Sequence, residues 1–371
     1  MATLSLPVRP AALAVRWRWP LLLAWGLAWV LARGGSTGDW HFLEEGGRLL
    51  RGPHPLSLYA DAPYLQIGPL ALLAGVPLAG APGPVVQAVL YGLGAAAVVA
   101  AEVVAPRRSA VTFVAAAALA LPSWSFVVGS GHLDDALVVA STACAGVAVA
   151  RGRSITAGLL VGAAVAAKPW ALVVVPVVLG LRTHRGRAVL AALTVPAAAW
   201  APFVVGDPGT AAALTAFRIG VVPTSGLHLL GVGDVACPGW VRPVQVVLGL
   251  VLALLAVRQG RWWAAPAAGL AARVALDPGA MGYYAAALAV TVVVVDACKG
   301  RCWPVGSLLV FGGLFYPAYV ASQAARAGVV LFTSPPGSLL VAAVRVATCV
   351  AVVALCCAPP RGGRPRALRL A

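Results

Sequence analysis

Ionisable residues are scarce in this chain, so the places where they gather are where chemistry is to be sought. Three of them fall within four positions of the string Ser130-Gly131-His132-Leu133-Asp134-Asp135, just before an apolar run. A histidine beside two carboxylates can orient a hydroxyl, contact a phosphate, relay protons or contribute to a divalent cation site. As a structural alternative, Asp134 and Asp135 suit the first turn of a helix, where carboxylates favour the helix dipole. Asp39 stands in Gly38-Asp39-Trp40-His41-Phe42, directly beyond the first apolar run. A carboxylate at the lip of a cavity can take a proton from a hydroxyl; the alternative is a cap for a helix over 40–50. Lys168, one of only two lysines, lies in Ala163-Ala164-Val165-Ala166-Ala167-Lys168-Pro169-Trp170. An ammonium among such residues is either functional or snorkels to the membrane interface. Arg218 and His228, in Phe217-Arg218 to Thr224-Ser225-Gly226-Leu227-His228, complete the set as groups that can contact a phosphate.

The elements that must position these groups follow from composition. Of 371 residues, 61% are hydrophobic and 10% charged, against about 25% charged in a soluble domain. That excludes a soluble globular protein. Apolar stretches recur at about the 20-residue length that crosses a hydrocarbon core. The expected fold is therefore all-α: a polytopic transmembrane helix bundle of about 11–13 membrane segments, some short or re-entrant. It forms one integral membrane domain over residues 1–371.

The net charge is +16, from 27 basic and 11 acidic residues, which would suggest nucleic acid if the basic residues formed one patch. They fall instead in short clusters between apolar runs: Arg16 with Arg18, Arg107 with Arg108, Arg151 with Arg153, Arg182 to Arg187, Arg258 with Arg261, Lys299 with Arg301, and a tail over 358–371. Such loops mark the cytoplasmic side, and no nucleic-acid partner is expected. Asp39, Glu44, Glu45, Asp61, Asp134, Asp135, Asp207, Asp234 and Asp277 then collect outside, in a cell membrane protein with a cytoplasmic N-terminus. The apolar run from Pro20 to Ala32 is an uncleaved first helix. The seven cysteines lack the paired, polar spacing of a disulfide or zinc framework. No phosphate loop occurs, which argues against an ATP-driven pump.

Spans are expected at about 85–104, 110–128, 134–150, 188–205, 240–257, 262–277, 279–296, 304–322 and 336–357. The 27 residues from Ser154 to Gly180 must leave the cytoplasmic side and return. Two short helices meeting near Lys168-Pro169 fit that length, because Pro169 cannot continue a regular helix. The segment over 64–80, with Pro69, Pro77, Gly68, Gly75 and Gly80, reads as broken or re-entrant. The first outer loop, 34–63, contains an interfacial amphipathic helix supported by a Glu44–Arg48 pair.

Asp39 after the first helix, the string Gly131-His132-Leu133-Asp134-Asp135, Arg151-Gly152-Arg153 and the run from Ala157-Gly158-Leu159 to Lys168-Pro169-Trp170 together resemble actinobacterial membrane glycosyltransferases of the GT-C type. These residues are similar to those of polyprenol-phosphate-mannose-dependent mannosyltransferases, over roughly residues 20 to 205. The resemblance implies a polyprenyl-phosphate sugar as donor, a lipid or cell-envelope glycan as acceptor, and a catalytic carboxylate in the first outer loop, which maps onto Asp39. His132, Asp134 and Asp135 would assist or shape the acceptor site. Lys168, Arg218 and His228 would hold the donor phosphate. No cofactor is assigned with certainty, a divalent cation being the candidate. The alternatives are a secondary transporter or lipid-linked-sugar flippase, in which the same groups relay protons or substrate, and an assembly scaffold, for which Asp39, His132 and Lys168 would not converge.

Overall fold

The structure is a computed structural model that describes residues 15–34, 38–106, 109–216, 218–233, 236–300, 303–332 and 334–358. Backbone amides in hydrocarbon must be satisfied within their own segment or in a closed barrel. Here the helix is the solution: the chain is 79% helical, with no strands among the described residues. In chain order come α1 (Arg18–Arg33), α2 (Trp40–Leu50), α3 (Leu58–Asp61), α4 (Pro69–Gly75), α5 (Gly83–Val104), α6 (Ala110–Ser130), α7 (Leu133–Ala150) and α8 (Ser154–Ala167). A 3₁₀ helix, Pro169–Gly180, is followed by α9 (Arg185–Gly206), α10 (Gly209–Ala216), α11 (Val241–Arg258), α12 (Ala265–Ala275) and α13 (Gly282–Lys299). The chain closes with α14 (Val305–Val310), α15 (Tyr316–Arg326) and α16 (Pro335–Cys357). Among the described residues, eight helical rods are long and apolar enough to cross a membrane: α5, α6, α7, α9, α11, α13, the continuous α14–α15 and α16. The chain is an all-α, multi-pass membrane protein.

Small residues let these helices touch. A Cβ on Gly162 would stand 2.7 Å from Val195 Cβ, and one on Gly158 would strike the Ala188 carbonyl. Glycines four apart thus form the close face of the α8–α9 pair. Between α5 and α6, the Trp124 indole lies over Gly94 and donates to Leu90 O at 3.0 Å. Leu190, Val247 and Leu340 remain exposed, as lipid-facing side chains are.

Several segments are shorter than their apolar length suggests. The stretch over 64–80 folds as α4 and a 3₁₀ turn, Val76–Leu78, broken by its prolines and glycines. The stretch over 262–277 contains a 3₁₀ turn, Trp262–Ala264, before the 11-residue α12. The α14–α15 rod passes through a π-helical turn, Phe311–Phe315, where Gly313 faces Thr348. As expected, α8 and the 3₁₀ helix meet at Lys168-Pro169. The helix expected in the first outer loop is α2, which buries Trp40, Leu43, Gly46 and Gly47 on one face. Its expected Glu44–Arg48 pair is replaced: Arg48 lies 3.8 Å from Glu45, while Glu44 accepts from Gly80 N. Arg9, Arg107, Arg108, Phe217, Asp234, Arg301 and the tail beyond Ala358 lie outside the described residues.

Candidate functional site

The site is built where α6 turns into α7. Gly131 takes a left-handed conformation (φ 83°) that ends α6, with its N–H on Val127 O at 3.0 Å. A glycine does this without the Cβ clash any other residue would suffer. The tight turn places His132 at the mouth of α7, with Asp134 and Asp135 in its first turn. Asp39 is brought alongside by its own backbone, since its N–H donates to Ser130 O at 2.9 Å. Its carboxylate makes no capping bond to α2, although Asp39 occupies the capping position.

Lys168 arrives from the other direction. The residue before a proline is pushed out of the helical region, and Lys168 is accordingly extended (φ −156°, ψ 117°) at the end of α8. Gly68 fixes that end by donating to Ala167 O at 2.9 Å. A Cβ at Gly68 would lie 2.6 Å from the same oxygen, so no larger residue permits the approach. Upstream, the buried Tyr59 holds the segment through its hydroxyl bond to Ile67 O at 2.8 Å.

These segments bring five sequence-selected residues into one connected network. His132 Nε2 lies 3.0 Å from Asp39 Oδ2, and Nδ1 lies 3.3 Å from Asp134 Oδ1 and 3.6 Å from Asp135 Oδ2. Lys168 Nζ lies 2.8 Å from Asp134 Oδ2 and 2.6 Å from Asp135 Oδ2. Burial alone would lower the His132 pKa, but hydrogen bonds to Asp134 and Asp39 overcome it and raise it to about 9. A carboxylate on each ring nitrogen favours the imidazolium, which donates from both. The bond to His132 in turn holds the Asp39 carboxyl below its ordinary value. Asp39 is the network's exposed end, at 44% side-chain exposure, and Lys168 and Asp135 its buried end.

Residues not selected from the sequence complete the walls. The Tyr283 ring packs on the His132 ring at 3.7 Å, and the Tyr284 ring centroid lies 5.4 Å from Lys168 Nζ. Arg273 stacks on the far side of the same neighbourhood, its Cζ 3.8 Å from the Tyr284 centroid and 4.7 Å from that of Trp170. The α12–α13 connector that aims Tyr283 and Tyr284 is clamped by Arg345 of α16. Arg345 donates to Val274 O at 3.2 Å and to Ala280 O and Asp277 Oδ2 at 3.4 Å. Two charges inside apolar segments, Arg273 and Arg345, were the available signal.

Arg218 and His228 are placed differently. Arg218 is exposed near Gly239, and His228 opens a short 3₁₀ turn packed against α16. Neither is among the residues that the Asp39–His132–Asp134–Asp135–Lys168 ion pairs join. His132, Asp134 and Asp135 have the ligand types and closeness of a divalent cation site, their atoms lying within 4.8 Å of one another. The ammonium of Lys168 already bridges both carboxylates, so this arrangement fits a lysine as the positive centre and does not fit a metal ion beside it.

A scan against protein-family models and searches of curated proteins and of solved structures found no match to this chain.

Proposed function

We propose that this protein is a membrane glycosyltransferase that moves a sugar, mannose-like in the first instance, from a polyprenyl-phosphate donor to a hydroxyl of a lipid or cell-envelope glycan. The observation that carries the reading is the convergence of Asp39, His132, Asp134, Asp135 and Lys168, from three distant parts of the sequence, into one hydrogen-bonded network opening at a bundle end. A scaffold has no need of that arrangement. The other end of the bundle carries Arg18, Arg151, Arg153, Arg182, Arg187 and Arg258, so the positive-inside rule turns the network outward. Nucleotide sugars are absent on that side, which favours a lipid-borne donor.

In this mechanism Oδ2 of Asp39 is held by His132, and Oδ1 faces the acceptor hydroxyl. The hydroxyl oxygen bonds to the anomeric carbon while its proton passes to Asp39. The bond from that carbon to the phosphate oxygen breaks, and the lipid phosphate leaves with the electron pair. A positioned base of this kind contributes about 10²–10⁴-fold to rate. The same chain of groups would serve a proton-coupled transporter or lipid-linked-sugar flippase, but α7 from Ala136 and α13 from Ala285 continue below it mainly with buried alanine and valine, Thr142 and, near the far end, Asp296 being the buried polar side chains there.

The test is transfer of radiolabelled sugar from polyprenyl-phosphate mannose, then glucose or arabinose, to envelope lipids in membranes carrying the protein or Asp39→Asn at equal expression. Transfer should fall at least about 100-fold in the variant. No transfer from any donor would refute the enzyme reading in favour of a transporter or a scaffold, and undiminished transfer in Asp39→Asn would move the base elsewhere, to Asp134 or Asp135.

A further inference from the structure

Four cations lie in or beside this network, and three are satisfied by carboxylates. Lys168 is shared by Asp134 and Asp135, His132 by Asp39 and Asp134, and Arg345 holds Asp277 and two carbonyls. Arg273 is held otherwise. It is 7% exposed on a helix of alanine and valine, its guanidinium lies over the faces of Tyr284 and Trp170, and its Nε has no hydrogen-bond partner. Asp277, four residues on and just past the end of α12, offsets its charge, yet that carboxylate takes its hydrogen bonds from Arg345 and from the Met281 and Gly279 backbone N–H groups.

Burying an N–H of a charged group without a partner forfeits its hydration with nothing in return. Ring stacking fixes the plane of a guanidinium while leaving its in-plane N–H groups uncommitted. Those groups match two oxygens of a phosphate in a bidentate contact, which an ammonium cannot reproduce. The position is suitable too, because Tyr284 is shared: the Arg273 Cζ and the Lys168 Nζ stand 3.8 and 5.4 Å from the same ring centroid.

Resting on the glycosyltransferase reading above, we propose that Arg273 is the anion-binding residue of the site and receives the phosphate of the lipid-linked donor. Lys168, neutralised by two carboxylates, then organises the acids and does not carry the phosphate. This moves the donor subsite from Lys168, Arg218 and His228 to the edge of the Arg273 guanidinium, beside Trp170 and Tyr284.

The full chain, purified in detergent, is titrated with a polyprenyl monophosphate and with the matching polyprenol, as wild type, Arg273→Gln and Arg273→Lys. Wild type should bind the phosphate in preference to the alcohol. Arg273→Gln should weaken phosphate binding about 10- to 100-fold and leave polyprenol binding unchanged. Arg273→Lys, which keeps the charge but loses the stacked fork, should fall between them, and it carries the test if the glutamine variant does not fold. Competition by inorganic phosphate identifies the phosphate alone as the recognised group; its absence assigns recognition to the lipid-borne phosphate, and both support the subsite. Equal affinity of wild type and the folded variants overturns it. Arg273-dependent phosphate binding without sugar transfer would sink the glycosyltransferase reading and leave the subsite standing, whereas transfer with Arg273-independent binding would do the reverse.

Discussion

At the scale of single residues, the network's charge states make it sensitive to pH in a definite direction. The folded His132 pKa of about 9 is above its ordinary 6.5. Its contribution to stability is therefore complete below about 6.5 and is lost as the pH rises through about 9. Asp39, held low by the same bond, adds stability above its ordinary value that disappears as the pH falls through its folded one. The unfolding temperature in detergent should decline between about pH 6.5 and 9 in wild type and stay level in His132→Gln; a decline retained in the variant would place the titrating group elsewhere. Lys168 is the second pressure point. Lys168→Met leaves Asp134 and Asp135 buried without their cation, a loss expected to destabilise by about 3–5 kcal/mol. Adding Asp135→Asn should restore part of it, and a double-mutant cycle that comes out additive would contradict the shared ammonium.

At the scale of elements, the site depends on how short segments end. Gly68→Ala forces a methyl group against the Ala166 and Ala167 carbonyls at the tip of α8. Overpacking of this kind costs about 1–3 kcal/mol, and here it displaces Lys168 as well. The variant should lose sugar transfer more than its thermal stability predicts, as measured by comparing kcat at matched folded fraction. The break at Lys168-Pro169 was legible in the sequence, because 27 residues between two basic loops cannot form two full spans and proline dictates where they part. So was α2, whose apolar residues recur at helical spacing. The Glu44–Arg48 pair was not: the periodicity allowed it, but the turn at Gly80 claims Glu44. Nor was the site's far wall, since Arg273, Tyr283 and Tyr284 join Lys168 through the packing of α12 and α13, a long-range contact that local spacing does not encode.

At the scale of the whole molecule, apolar length alone revealed a multi-pass bundle, and the segregation of arginines from carboxylates argues for one orientation. Reporter fusions after Arg151 and in the loop at Gln259-Gly260 should report the cytoplasm, and one at His54 the opposite side. A uniform answer at all three positions would be incompatible with the alternation of α5 through α11. The same segregation explains why Asp39, His132 and Lys168 could be proposed as partners across 129 positions of sequence, whereas Arg218 and His228, on the same side by charge, are not among the residues that their ion pairs join: charge selects a side of the membrane, and packing selects neighbours within it.

The hairpin that carries Lys168 has a consequence for depth. Its ascending arm, α8, has 14 residues and rises about 21 Å. The descending 3₁₀ arm has 12 residues and covers about 24 Å at the longer rise of that helix. Both fall short of a hydrocarbon core about 30 Å thick. Measured from its basic end, the hairpin apex at Lys168, against which Asp134 and Asp135 pack, would stop several ångströms short of the level that the 22-residue α9 reaches at Gly206. A free sugar in solution would have to descend to that apex, while an amphiphile would already float at its level. On the proposed glycosyltransferase reading, such depth would favour lipid hydroxyls over soluble ones as acceptors before any side chain makes contact.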